Sequence, residues 1–130
     1  MSSIFSKIID GIIPCHKIAE NESFLAFLDI QPLAQGHTLV IPKKEIDYIF
    51  DLDDSTLKEM MVFSKMVSEK LKAALPCKRI GVSIIGLEVP HAHIHLVPIN
   101  DIDDMNFSKP KLNLSKNEMS AIQEQIIKKV

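Results

Sequence analysis

The sequence predicts an α+β fold, with helices packed on one antiparallel sheet. Three observations carry this. Apolar residues recur first with helical period, then in three strand-like runs, then along a long helix, two more strands and a last helix. Runs 15–20 and 23–29 are separated by Asn21-Glu22, which is hairpin spacing with turn-tolerant residues. The stretch His91-Ala92-His93-Ile94-His95-Leu96-Val97 alternates imidazole with apolar side chains, the period-2 pattern of a half-buried strand.

Taken in order, Ser3 is placed to cap a short helix with Ile4, Phe5, Ile8 and Ile9 on one side, ended by Gly11 and Pro14. The hairpin strands follow. Residues 31–36 carry Pro32 and Gly36 and read as a loop. Residues 37–41 form a strand that Pro42 stops, and Lys43 and Lys44 read as its solvated end. Asp53 or Asp54 caps the longest helix, which runs to about Leu75 with Leu57, Met60, Met61, Met66, Val67 and Leu71 near helical spacing. Its methionines read as core filler, and Pro76 ends it. Residues 80–85 form an apolar strand, and Gly86 to Pro90 turn the chain into the histidine strand. Residues 100–110 are polar and acidic and read as a loop. Ser115-Lys116-Asn117-Glu118 is a capping box for a last helix, 115–130, carrying Met119, Ile122, Ile126 and Ile127.

The chain has 130 residues, which the length prior reads as one domain, 1–130, without internal repeat or linker. With 46% hydrophobic residues it belongs with globular proteins, not disordered ones. A formal net charge of −2 and the absence of a basic stripe argue against a nucleic-acid polymer as partner. A small anion needs only a local positive site and stays open. Cys15 and Cys77 are isolated, a pattern suited to a reducing compartment. The first fourteen residues lack the charged start and apolar run of a signal peptide. No run approaches the ~18–20 apolar residues of a membrane span. The expectation is a soluble cytoplasmic protein that engages no membrane.

On a strand, His91, His93 and His95 share one face at a spacing of roughly 6.5–7 Å, while Ala92, Ile94 and Leu96 point into a core. Packing alone gives no reason for three imidazoles on one face. One chemistry is nucleophilic attack on phosphorus: a neutral imidazole attacks while its other nitrogen is held as a donor, and a second imidazole donates to the phosphate oxygens. Another is metal binding, since His-x-His on a strand commonly supplies two zinc ligands. A third is a binding module that only holds an anion. Spacing alone leaves all three open.

The same stretch fits the signature of the histidine triad (HIT) family, His-φ-His-φ-His-φ-φ with φ apolar. Further segments resemble that family, and its Hint-type bacterial branch in particular. Ser3-Ile4-Phe5-Ser6-Lys7-Ile8-Ile9 with Ile13-Pro14 resembles its N-terminal helix, and Phe24-Leu25-Ala26-Phe27-Leu28-Asp29-Ile30 with Pro32 the strand leading to a ribose site. Gly36-His37-Thr38-Leu39-Val40-Ile41-Pro42-Lys43 resembles the strand after it. The resemblance spans about residues 3–99, and the C-terminal helix has no motif counterpart.

The resemblance implies a HIT-like fold with a five-stranded antiparallel sheet and a homodimer whose sheets join. It implies nucleotidyl hydrolase or transferase activity on a purine nucleotide or nucleotide conjugate, with no cofactor and no metal in the chemistry. By position, His93 matches the nucleophile that forms a nucleotidyl-histidine intermediate. His95 matches the donor to the α-phosphate, His91 the triad member whose carbonyl orients the nucleophile, and His37 a fourth histidine of the network. Asp29 matches the acceptor of the ribose hydroxyls, a role suited to a carboxylate. Phe5, Ile8, Phe27, Ile30 and Leu39 are the expected slot for the base, with Ser83 and Val89 completing the nucleotide-binding set.

The chain also departs from the family. Many bacterial members bind a structural zinc through Cys-x-x-Cys near the N-terminus and a later His, but those places hold Ser3, Ser6 and Glu45 here, so no zinc is expected. Ser83 stands near the family's Asn, and Leu87 follows Gly86 where Gln is usual; Leu cannot donate to a phosphate or leaving group. Glu88 reads as solvent-facing. His95 stands where uridylyltransferase relatives carry Gln, which favours hydrolysis over transfer. The expected activity is hydrolysis at the α-phosphorus of nucleoside phosphoramidates or related conjugates, releasing a nucleoside monophosphate. The alternative is a HIT-fold nucleotide-binding or regulatory protein with little turnover.

Overall fold

Ser3 caps the first helix as the sequence predicts. In the computed structural model, which describes residues 2–128, its hydroxyl accepts from the Ser6 N–H at 3.0 Å and helix α1 runs Ile4–Ile9. Asp10 closes α1, and Gly11 follows at φ +78°, the left-handed conformation that favours glycine after a helix. Strands β1 (Lys17–Glu20) and β2 (Phe24–Leu28) form the expected hairpin. Asn21 Oδ1 accepts from the Ser23 and Phe24 N–H groups, both at 2.8 Å, which shapes the turn. Strand β3 (Thr38–Pro42), helix α2 (Asp54–Ala74), strands β4 (Arg79–Ser83) and β5 (Ile94–Ile99) and helix α3 (Lys116–Ile127) complete the fold. Asp53 caps α2 through the Thr56 N–H at 2.7 Å, and the Ser115/Glu118 capping box opens α3. Residues 1, 129 and 130 of the expected 1–130 domain and 115–130 helix lie outside the described residues.

The five strands form one antiparallel sheet in the order β1-β2-β3-β5-β4. This is the predicted α+β, HIT-like architecture, and several boundaries shift for local reasons. β5 starts at Ile94, not His91, because the preceding backbone is engaged elsewhere. The His91 N–H donates to the Val89 carbonyl (2.8 Å), and the Ala92 N–H to the Ile46 carbonyl (2.7 Å). β5 also continues through Pro98, which is tolerated because β5 pairs with β3 only as far as Leu96. β3 likewise includes Pro42, beyond the point where β5 pairs with it. β1 begins two residues later than predicted, with a pairing irregularity between Lys17 and Ala19. The stretch read as a loop at 100–110 contains a 3₁₀ turn, Ile102–Met105. There the Asp101 N–H donates to Asp104 Oδ2 and the Asp103 N–H to Asp101 Oδ1, both at 3.1 Å. A second 3₁₀ turn, Ile49–Asp51, precedes α2.

The sheet separates two environments. Phe24, Ala26, Leu28, Val40, Ala92, Ile94 and Leu96 pack against Met60, Phe63, Val67 and Leu71 of α2 and Met119, Ile122 and Ile126 of α3. The period-2 alternation therefore survives across residues 92–96 although the ladder begins only at Ile94. On the opposite face Leu25, Phe27, Leu39 and Ile41 pack with Phe5 of α1. The histidines lie on that second face, which α2 and α3 leave uncovered. No helix among the described residues is long and apolar enough to cross a membrane.

Candidate active site

His91, His93 and His95 are all buried, and the rings of His93 and His95 meet edge to face with centroids 4.9 Å apart. His37, at the end of the 31–37 loop, brings its ring to 5.2 Å from that of His95. The loop is shaped by Gly36 at φ +89°, where a side chain would run into Leu75. Four of the chain's five histidines thus share one site. The fifth, His16, stands away from it beside Ser120 at 3.3 Å.

For a ring in its neutral form, the hydrogen bonds fix which nitrogen carries the proton. His93 Nδ1 lies 2.7 Å from the His91 carbonyl oxygen. A carbonyl only accepts, so Nδ1 is the donor and Nε2 keeps its lone pair. The Leu33 N–H donates to His37 Nδ1 at 3.0 Å, so His37 carries its proton on Nε2 and donates it to His95 Nδ1, also at 3.0 Å. His95 Nε2–H is left as a free donor. His91 Nε2 donates to the Pro42 carbonyl at 2.8 Å, and Ser3 Oγ sits 2.8 Å from His91 Nδ1. One ring therefore presents a lone pair and its neighbour an N–H, within a single cluster.

Burial keeps the supporting imidazoles neutral. It lowers His37 to about 3, assisted by the nearby His95, Lys111 and His93, and lowers His95 to about 4, assisted by His93. His91 is also lowered by burial, although its bond to Pro42 opposes the shift. Asp29 follows β2. Its Oδ1 accepts from the Gln31 N–H at 2.8 Å and its Oδ2 lies 3.6 Å from His37 Nε2, too long for a hydrogen bond. Burial raises the pKa of this carboxyl, and the Gln31 N–H works against the rise.

Of the residues expected to line a base slot, Phe5, Ile8, Phe27, Leu39 and Val89 fall in one apolar cluster, which Leu25, Ile41, Ile9 and Cys15 extend. The Phe5 ring stands edge-on to Phe27 at 5.6 Å and to His93 at 5.1 Å. Ile30 is 74% exposed and lies outside the cluster. Ser83 pairs with His95 across β4 and β5, which puts both side chains on one face. Leu87 is 88% exposed, and Glu88 is exposed. Phe107, absent from the expected set, packs 4.8 Å from the His95 ring and 6.2 Å from the His37 ring. The available signal is an aromatic set in an otherwise polar stretch. On its other side His93 borders a cleft of about 250 Å³ lined by Tyr48, Phe50, Ile84, Ile85 and Ala92.

Two places bear on metal binding. Asp29, His37 and His95 offer ligand atoms within 4.8 Å of one another, the one such grouping among the described residues. Within that grouping His37 Nε2 and His95 Nδ1 are already bonded to each other. At the places of a family zinc, Ser6 Oγ and the Ser3 N–H both donate to Glu45 Oε1 at 2.6 Å. These bonds hold the Glu45 carboxylate below its usual range. Two hydroxyls, a carboxylate and one imidazole, bonded to each other, do not fit the thiolate and imidazole set of a structural zinc.

Residues 10–102 match the family model of the HIT domain. The chain is 36% identical to an uncharacterized HIT-like protein of Borreliella burgdorferi, over 95% of this chain and 94% of that one. It is 35% identical to an adenosine 5′-monophosphoramidase of Schizosaccharomyces pombe, over 100% and 99% of the two chains. Among solved structures, a HIT-like protein from Bartonella henselae superposes with a TM-score of 0.85 at 27% identity, covering 99% of this chain and 97% of its own.

Proposed function

Since the chain belongs to the HIT domain family, we propose that it is a nucleotidyl hydrolase acting at the α-phosphorus of nucleoside phosphoramidates or related nucleotide conjugates. The observation that carries this is the 2.7 Å bond from His93 Nδ1 to the His91 carbonyl, which leaves Nε2 as a lone-pair nucleophile. The adenosine 5′-monophosphoramidase relative supports the substrate class.

In the proposed reaction His93 Nε2 attacks the α-phosphorus. A nitrogen–phosphorus bond forms, the bond to the departing amine breaks, and the amine takes up a proton from solvent, which the water of the second step gives back. His95 Nε2–H, aligned by His37, donates to a non-bridging oxygen as charge builds there. Water then attacks the nucleotidyl-histidine, releasing a nucleoside monophosphate and restoring His93. Asp29 takes the ribose hydroxyls, and the Phe5–Phe27 cluster takes a purine base. The cleft beside Tyr48 and Phe50 is the space open to the leaving group. No metal or cofactor enters these steps.

The proposal includes a homodimer in the cytoplasm. β4 is a sheet edge, and Val82, Ile84 and Ile85 on or beside it are exposed, an apolar strip that an unpaired edge normally avoids. A second reading, a nucleotide-binding or regulatory protein with little turnover, draws on exposed Leu87, which has no donor to offer a leaving group. A substrate panel decides between the two. Hydrolysis of an adenosine phosphoramidate with an acid-quenched covalent adduct supports the enzyme. Tight nucleotide binding with neither turnover nor adduct supports the binder.

A further inference from the structure

His91 is fully buried, and both its ring nitrogens are spoken for. With Nε2 donating to the Pro42 carbonyl (2.8 Å), Nδ1 must accept, and the one group against it is Ser3 Oγ at 2.8 Å. A serine hydroxyl has a single proton, so Ser3 gives it to His91 and cannot also give it to Ser6 Oγ, 3.4 Å away. The lone pairs of Ser3 Oγ accept the Ser6 N–H at 3.0 Å. Ser6 Oγ in turn donates to Glu45 Oε1 at 2.6 Å, and the same oxygen takes the Ser3 N–H at 2.6 Å. Every proton in this set has one consistent position.

The bonds connect distant parts of the chain. Glu45 follows β3, Ser3 and Ser6 open α1, and His91 precedes β5. Glu45 is exposed, so its charge by itself contributes little to stability; what it supplies is an acceptor shared by two donors of one helical turn. Two consequences reach His93. The His91 carbonyl receives His93 Nδ1–H at 2.7 Å, so the seat of His91 sets the aim of His93. Phe5, between the two serines, stands edge-on to the rings of both His91 (5.8 Å) and His93 (5.1 Å), so the seat of α1 sets the wall beside the nucleophile.

The geometry points to Ser3, Ser6 and Glu45 as a metal-free latch that seats the ring of His91, whose tautomer the Pro42 carbonyl sets, and, through the His91 carbonyl and Phe5, holds His93 in its attacking position. They are positioning residues, since none of them touches the reacting atoms, and their effect on rate rests on the hydrolase reading above.

The experiment pairs truncating with conservative variants of the full chain. Ser3→Ala removes the proton given to His91 Nδ1, and Glu45→Ala removes the shared acceptor. Ser3→Thr keeps the hydroxyl, and Glu45→Gln keeps an acceptor oxygen. The expected result is a kcat on an adenosine phosphoramidate about 10–100-fold lower in the two alanine variants, the scale of a small misplacement. KM should change less than kcat, because only Phe5 and Ile8 of the proposed ribose and base contacts lie on α1, while Asp29, Phe27 and Leu39 are untouched. The Thr and Gln variants should recover most of the rate. Nitrogen-15 spectra of the histidines supply a readout that does not depend on turnover. His91 should be the Nε2–H tautomer in both proteins, held by Pro42, and its Nδ1 signal should move in Ser3→Ala as the hydroxyl donor is lost. An unchanged His91 Nδ1 signal in Ser3→Ala overturns the latch. So does wild-type kcat in both alanine variants, or a loss of kcat that Thr and Gln do not recover. If the wild-type protein hydrolyses no nucleotide conjugate, the hydrolase reading fails, while the His91 Nδ1 signal still tests the latch alone.

Discussion

His37 Nε2 donates to His95 Nδ1 across 3.0 Å, and the direction of that bond is set from behind by the Leu33 N–H on His37 Nδ1. The proton order therefore runs from a loop backbone through two rings to the face of the site. His37→Ala should leave His95 Nδ1 without its donor and let the ring sample both tautomers. A His95 Nε2 that has lost its proton part of the time donates part of the time. The expected fall in kcat is smaller than the about 10²–10³-fold of losing such a donor outright. Nitrogen-15 spectra check the cause: a single His95 tautomer persisting in His37→Ala would show that the relay is not what orders it.

Acid should destabilise the fold well above the range where carboxylates titrate. A histidine in the unfolded chain titrates near 6.5, whereas His37 is lowered to about 3 and His95 to about 4, and His91 moves the same way. Between those limits the unfolded chain binds protons that the native state refuses, so stability falls as pH falls from about 6.5 towards 4. Above pH 7 these groups add nothing to the pH dependence. Each contributes about 1.4 kcal/mol per pH unit inside the window. Urea midpoints at pH 7 and pH 5 should differ clearly, and His37→Gln should narrow the gap. Equal midpoints would contradict the neutral burial of these rings.

The elements with one consistent local signal were legible in the sequence. Ser3, Asp53 and Ser115 cap the helices expected of them, and the Asn21 turn joins the expected strands. The alternation at residues 91–97 correctly gave the face of each side chain, because facing depends on period, but missed where the ladder starts, because that depends on Ile46 and Val89 capturing backbone donors. No local pattern encodes such captures. Phe107 offered one local signal, an aromatic in a polar stretch, but its contact with His95 arises from tertiary packing that this signal does not specify. Conversely, Ile30 follows Asp29 in a motif yet lies exposed, since a motif fixes position in the chain and not enclosure.

Sedimentation should give a dimer at micromolar concentration. The exposed Val82, Ile84 and Ile85 stand at the open β4 edge, where a second copy could continue the sheet. Val82→Lys should weaken association, because a charge on an edge strand opposes strand pairing. A monomeric wild-type protein would remove the homodimer from the proposal.

Asp29→Ala should act on binding more than on chemistry. The carboxylate sits beside His37 but makes no hydrogen bond to it, at 3.6 Å, and its proposed partners are the ribose hydroxyls. Losing one charge-assisted contact costs about 1.5–3 kcal/mol, which predicts a KM increase of about tenfold or more with kcat little changed. A hundredfold loss of kcat at unchanged KM would show that Asp29 works through the histidine network instead.

The decisive residue is His93. Its Nδ1–H is held by the His91 carbonyl at 2.7 Å, so the lone pair on Nε2 is the one the site presents. His93→Ala should abolish the covalent adduct while nucleotide binding persists, because Asp29 and the Phe5–Phe27 cluster remain. His95→Ala should keep a slowly forming adduct, since the nucleophile survives and one donor to the developing charge is lost, at a cost of about 10²–10³ in rate. His91→Ala should affect chemistry less than either, because the carbonyl that orients His93 belongs to the backbone; what it loses is the ring seated between Ser3 and Pro42. Acid-quenched trapping with labelled nucleotide and peptide mapping checks this order directly. The label should map to His93 in the wild-type protein and in His95→Ala. A label on His91, His95 or Glu88, or undiminished turnover in His93→Ala, would mean that the lone pair at Nε2 is not the attacking group.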